Sequence, residues 1–131
     1  MYVTNVNQVK EHVLQKKGAR GVTLKYLLHG DVGAKKLQFR LFAIDVEGYT
    51  PLEVHAHEHE VFVLRGKALV QGGNQKVIVN SGDVLFISSF EVHQFKNIGD
   101  EKFEFLCTKE TRFAEAYDVV TRIVNLITGK R

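Results

Sequence analysis

Only one cysteine, Cys107, occurs in the 131 residues. No internal disulfide can form, so a buried core must hold the fold, and a lone thiol fits a reducing compartment. No apolar run approaches the roughly 20 residues needed to span a bilayer. The opening Met1-Tyr-Val-Thr-Asn-Val-Asn7 also lacks a charged region followed by an apolar run, so neither a membrane partner nor a secretory leader is expected. Positive charge is in slight excess, 18 basic against 15 acidic residues, and is scattered in pairs such as Lys16-Lys17 and Lys35-Lys36. A nucleic-acid face needs a concentrated basic stripe, and none is present. The expectation is a cytoplasmic, single-domain protein, long enough to bury roughly two thirds of its unfolded surface.

Helical periodicity is also scarce before residue 110, and short strands take its place. Residues 1–21 form a polar N-terminal arm in which a short strand and a helical turn fit equally well. Val22 to His29 is rich in branched and aromatic residues, and Gly30-Asp-Val-Gly33 supplies a turn. Leu37, Phe39 and Leu41 alternate with Gln38 and Arg40, which reads as a strand with one wet face. Val61-Phe-Val-Leu64 ends at Gly66, and Lys67 to Val70 resumes beyond it. Gln71-Gly-Gly-Asn74 is a hairpin signal, because glycine and asparagine tolerate the positive φ of tight turns. Val77-Ile-Val79, Val84-Leu-Phe-Ile87 and the alternating Phe103, Phe105 and Cys107 follow. Strands this short and this often interrupted indicate an antiparallel sandwich or barrel over residues 22–109. In residues 110–131 the pattern changes. From Thr111, Phe113, Ala116, Val120, Ile123, Val124 and Ile127 recur at three- and four-residue steps up to Gly129, predicting a C-terminal amphipathic α-helix.

The chemistry is concentrated in Glu53-Val-His-Ala-His-Glu-His59, which holds three of the six histidines. In an extended chain Glu53, His55, His57 and His59 point to one face. Imidazole nitrogens and carboxylate oxygens converging there would hold a first-row divalent metal. A solvated strand end is the alternative that this stretch alone leaves open.

The glycines and histidines together resemble the cupin superfamily, a double-stranded β-helix or jelly-roll barrel with two motifs meeting at one metal. The first motif is glycine, about five residues, His-x-His, three or four residues, Glu or His, six residues, glycine. Gly66 closes it here; six residues intervene back to His59, and three more separate His59 from His55. The His-x-His partner of His55 falls on Glu53, while Glu47-Gly48 stands where small cupins carry a glycine pair. The second motif is glycine, five residues, proline, one residue, glycine, two residues, His, three residues, asparagine. Gly82, His93 and Asn97 keep these spacings, whereas Ser88 replaces the proline and Phe90 the second glycine, which predicts a different loop around the same site.

The resemblance implies a metal held by Glu53, His55, His59 and His93, with His57 in a connecting turn as a pocket or supporting residue. It implies one divalent ion, with manganese or iron favoured and nickel, zinc or copper also known in the family. The leading activity is that of a dioxygenase-like oxidoreductase acting on a small organic substrate, and a homodimer is expected. A non-catalytic metal or ligand-binding sensor is the alternative, and a metal-free sugar isomerase or epimerase a weaker one. Strand parity proposes Phe39, Leu41, Phe103, Phe105 and Cys107 as inward-facing pocket residues, against plain core packing as the competing reading.

Overall fold

The computed structural model describes residues 1–111, 123, 124 and 126–129. Nine strands are found among them: β1 Glu11–Val13, β2 Arg20–Leu28, β3 Leu37–Tyr49, β4 His59–Arg65, β5 Lys67–Gly72, β6 Gln75–Asn80, β7 Val84–Ile87, β8 His93–Asn97 and β9 Phe103–Glu110. All pairings are antiparallel. The strand order is β6-β5-β8-β3-β9-β4-β7, with β2 on β3 and β1 on β2, a sheet curled into the double-stranded barrel that the cupin resemblance implies. The polar arm contains both of the elements left open for it, a 3₁₀ turn at Val6–Gln8 and the short strand β1. Most of the expected C-terminal helix, residues 112–122, lies outside the described residues; Thr111 and residues 123, 124 and 126–128 are helical. Among the described residues no helix is long and apolar enough to cross a membrane.

The thirteen-residue β3 organises the barrel because it belongs to both of its halves. Leu37 to Ile44 pairs with β9, from Leu37 opposite Glu110 to Ile44 opposite Phe103, while the far end meets β8 at Tyr49 opposite Lys96. Between these segments the strand must bend sharply. Glu47 takes a left-handed φ of 67°, and a Cβ on Gly48 would lie 2.5 Å from the Arg20 carbonyl oxygen. Only glycine fits position 48, and position 47 carries a conformation that costs a non-glycine residue roughly 1–2 kcal/mol.

Alternation along the strands fills the interior. In β4, His59, Val61 and Val63 are buried and Glu60, Phe62 and Leu64 exposed, the period-two pattern of a sheet with one covered face. Val22, Ile44, Val63 and Phe103 are almost completely buried and form the densest part of the core. Above them three rings make a continuous stack, Phe42 on Phe105 at 5.0 Å and Phe105 on Phe95 at 4.5 Å between centroids. This stack floors the open end of the barrel, where the histidines lie.

Candidate metal centre

The stretch from Glu53 to His59 is not a single extended strand. Only His59 belongs to one, at the start of β4, and residues 54–58 form the loop that leads into it. The one-face alternation expected from the sequence therefore does not place these side chains. Pairing with the second motif does.

Glu53 and His93 form an isolated antiparallel bridge, with Glu53 N–H donating to the His93 carbonyl at 3.0 Å and His93 N–H to the Glu53 carbonyl at 2.9 Å. A second tie runs from Phe90 N–H to the His55 carbonyl at 2.6 Å. Phe90 adopts φ 61°, the left-handed conformation that glycine reaches freely. The different loop expected from the loss of the motif's glycine thus still makes a left-handed turn at that position, with phenylalanine carrying its strain. The motif's asparagine is structural. Asn97 is buried, donates to the carbonyls of Ile44 and Glu101 at 2.9 Å each, and accepts from Gly99 N–H at 2.9 Å.

These ties bring His55, His59 and His93 together, with one ring nitrogen of each within 4.8 Å of the others. Ligands bound at about 2.1 Å sit about 3 Å apart when adjacent and about 4.2 Å apart when opposite. A small inward adjustment of the rings would close such a shell. His93 is already oriented for it, because its Nδ1 donates to the Glu91 carbonyl at 2.9 Å and leaves Nε2 as the free acceptor. His59 Nδ1 lies 3.2 Å from Cys107 Sγ, and its Nε2 is buried with no hydrogen-bond partner. With Nδ1–H donating to the Cys107 sulfur, Nε2 is left as an orphaned acceptor beside two other imidazoles, which is what a cation site requires. Three histidines so placed could hold a metal ion.

Glu53 stands at the edge of this group, its Oε2 3.3 Å from His55 Nε2 and in contact with Lys16 Nζ from the N-terminal arm. Burial would raise its carboxyl, but the bonds from His55 and Lys16 and the lysine's charge more than offset that, and its pKa falls to about 2. His57 is placed differently. Its ring stacks on His55 at 4.7 Å and meets His59 edge-on at 4.7 Å, and it does not line the cavity that Glu53, His55, His59 and His93 share. Burial, then the charge of Lys109, lowers His57 to about 4; burial, then the Arg40 guanidinium, lowers His59 to about 2. Burial also lowers His93, against the opposing Glu91 bond. These three imidazoles are neutral near pH 7, the protonation state in which they ligate metals.

The proposed pocket residues divide by strand. Phe105 and Cys107 line the cavity, while Phe103 lies deeper in the core. Phe39 and Leu41 are on the opposite face of β3 and line surface hollows with Phe62 and Leu106 or with Leu24 and Leu64. The inward residues of β3 are Arg40 and Phe42, and of these Arg40 belongs to the face that alternation reads as wet. The register explains the inversion: Arg40 is opposite Cys107 and Phe42 opposite Phe105, and residues directly across a ladder share a face. Once Cys107 and Phe105 are assigned inward, their partners must follow. Burial raises the Cys107 thiol, although Arg40 Nη2 donates to its sulfur at 3.3 Å. Leu14 and Thr50, neither singled out by the sequence, complete the wall.

The cupin-domain family model matches residues 40–109, more than half of the chain, and the chain belongs to the cupin family. It is 32% identical over 88 residues to the 1-methylthio-D-xylulose 5-phosphate methylsulfurylase of Rhodospirillum rubrum; the match covers 67% of this chain and 55% of that protein, so the chain spans about half the relative's length. Among solved structures it resembles the polyketide cyclase RemF from Streptomyces resistomycificus, with a TM-score of 0.79 and 26% identity over 84% of this chain and 79% of that one. It also resembles a cupin 2 conserved barrel domain protein from Rhodopseudomonas palustris, with a TM-score of 0.69 and 30% identity over 79% and 72% of the two chains.

Proposed function

We propose that the protein is a mononuclear metal cupin in which His55, His59, His93 and Glu53 hold one divalent ion, manganese or iron by preference, and that it acts as a dioxygenase-like oxidoreductase on a small organic molecule. The observation that carries this reading is His59 Nε2, buried without a partner and facing two other imidazoles. Glu53 is the fourth ligand in this proposal because it bridges His93 and lines the same cavity, whereas His57 does neither. One carboxylate among three neutral imidazoles suits the harder first-row ions. When bound, the ion would supply Lewis-acid or redox activation at its open positions.

The chain's own contribution is orientation and exclusion of water. The Glu91 carbonyl fixes the His93 ring, and the Phe42, Phe105 and Phe95 stack makes the floor apolar. Metal analysis of untagged protein tests the proposal. A stoichiometric ion, lost in His59→Ala and His93→Ala, supports the centre, and protein that binds none overturns it. Oxygen uptake with diketones, catechols and diols then tests the activity; a metal-loaded protein inert to the whole panel favours the non-catalytic binder.

A further inference from the structure

Arg40 is the feature of the cavity that a metal centre leaves unexplained. It enters from the first third of β3 and shares the cavity with the three histidines. One Nη2 proton goes to Cys107 Sγ at 3.3 Å, a weak acceptor that leaves the charge uncompensated. Nε is buried and has no partner. Among the described residues no carboxylate lies within ion-pair distance of the guanidinium, since the cavity's one acid, Glu53, is engaged by Lys16 and His55. A partly buried cation without an anion is costly to keep unless something supplies the anion.

The surroundings limit what that anion can be. The guanidinium carbon lies 4.8 Å over the Phe42 ring, at one end of the Phe42, Phe105 and Phe95 stack. Arginine presents planar, paired donors that match a carboxylate, and the stacked rings beside it offer an apolar wall of ring edges. Lys109 is close enough to interact with Arg40 but does not line the cavity, so a ligand there meets one guanidinium flanked by phenylalanine, which suits a monoanion with an apolar body better than a strongly hydrated phosphate dianion.

We propose that Arg40 is the substrate anchor of this cavity, binding the carboxylate of a small planar acid whose body lies along the Phe42, Phe105 and Phe95 rings. The proposal deepens the reading of the cavity as a substrate site, and its test is arranged to need no metal. Metal-free protein is titrated with 4-fluorobenzoate, followed by fluorine NMR line broadening. The Arg40 Nε–H signal, identified by its absence from the Arg40→Lys spectrum, is followed in arginine-labelled protein.

The expected results are saturable binding, a shift of the Arg40 Nε–H resonance, and affinity reduced about tenfold or more in Arg40→Gln and by a smaller factor in Arg40→Lys. Uncharged 4-fluorobenzyl alcohol should bind at least about tenfold more weakly than the acid. An unmoved Nε–H signal, equal binding by Arg40→Gln, or tighter binding of phenyl phosphate than of the benzoate would each overturn the assignment. The Nε–H measurement uses the unaltered chain, so it decides the matter even if Arg40→Gln folds poorly. Metal uptake by the unaltered chain is measured separately: metal bound but no benzoate bound sinks this proposal alone, and benzoate bound but no metal bound sinks the metal centre alone.

Discussion

Glu53 and His93, forty positions apart in the chain, are joined by two backbone hydrogen bonds of 3.0 and 2.9 Å in an isolated bridge. The bridge sets two potential ligands side by side before any metal is considered, and it is the reason the two motifs make one site.

Replacing Glu53 with alanine should weaken binding of manganese or iron by about 10- to 100-fold, whereas His57→Ala should change it less than about threefold. Calorimetric titration of the two variants measures both. Release of metal by His57→Ala with retention by Glu53→Ala would reverse the ligand assignment.

Acid should destabilise the metal-free protein well before its carboxylates titrate. His59 has a folded pKa of about 2 against an ordinary 6.5, and His57 about 4 against 6.5. Below 6.5 the unfolded chain takes up protons that the folded chain refuses, so stability is full above 6.5 and falls as pH drops through 4 toward 2. At pH 5 the buried His59 alone costs about 2 kcal/mol. Glu53 acts in the same direction below 4.5, its ordinary value, down to about 2. Urea unfolding at pH 7.5 and 5.0 checks this, and the difference should shrink in His59→Gln.

Glu47→Gly should stabilise the barrel by about 0.5–1 kcal/mol, since it relieves a left-handed residue at an exposed bend and gives back part of the gain in unfolded-chain entropy. A thermal midpoint unchanged or lowered would show that the Glu47 side chain compensates for its backbone.

Asn97→Ala should cost on the order of 3 kcal/mol, because it leaves the Ile44 and Glu101 carbonyls and the Gly99 N–H without the amide that joins them. Stability is measured by denaturant unfolding. Metal affinity of the fraction that stays folded should be unaffected, as Asn97 does not line the cavity.

Much of this was legible in the residues. The turns at Gly73-Asn74 and Ser81-Gly-Asp83 and the strand Val84–Ile87 follow from local chemistry, and the distance from Gly66 back to His59 and His55 locates two of the three clustered histidines. Arg40 was not legible, because alternation with Leu37, Phe39 and Leu41 assigns it to the wet face, and only its place opposite Cys107 turns it inward. The missing information was the register with β9, a long-range fact that no local window contains. The part played by Lys16 was hidden for the same reason, since its contact with Glu53 spans 37 positions.

The placement of β9 also bears on how the protein is made. Among the described residues the strand latest in sequence lies in the middle of the sheet, between β3 and β4. Those two strands have no common partner until residue 110 has left the ribosome, so their facing edges wait unpaired until then. The barrel cannot close without β9, and a nascent chain halted before Phe103 should be a substrate for chaperones rather than a folded intermediate.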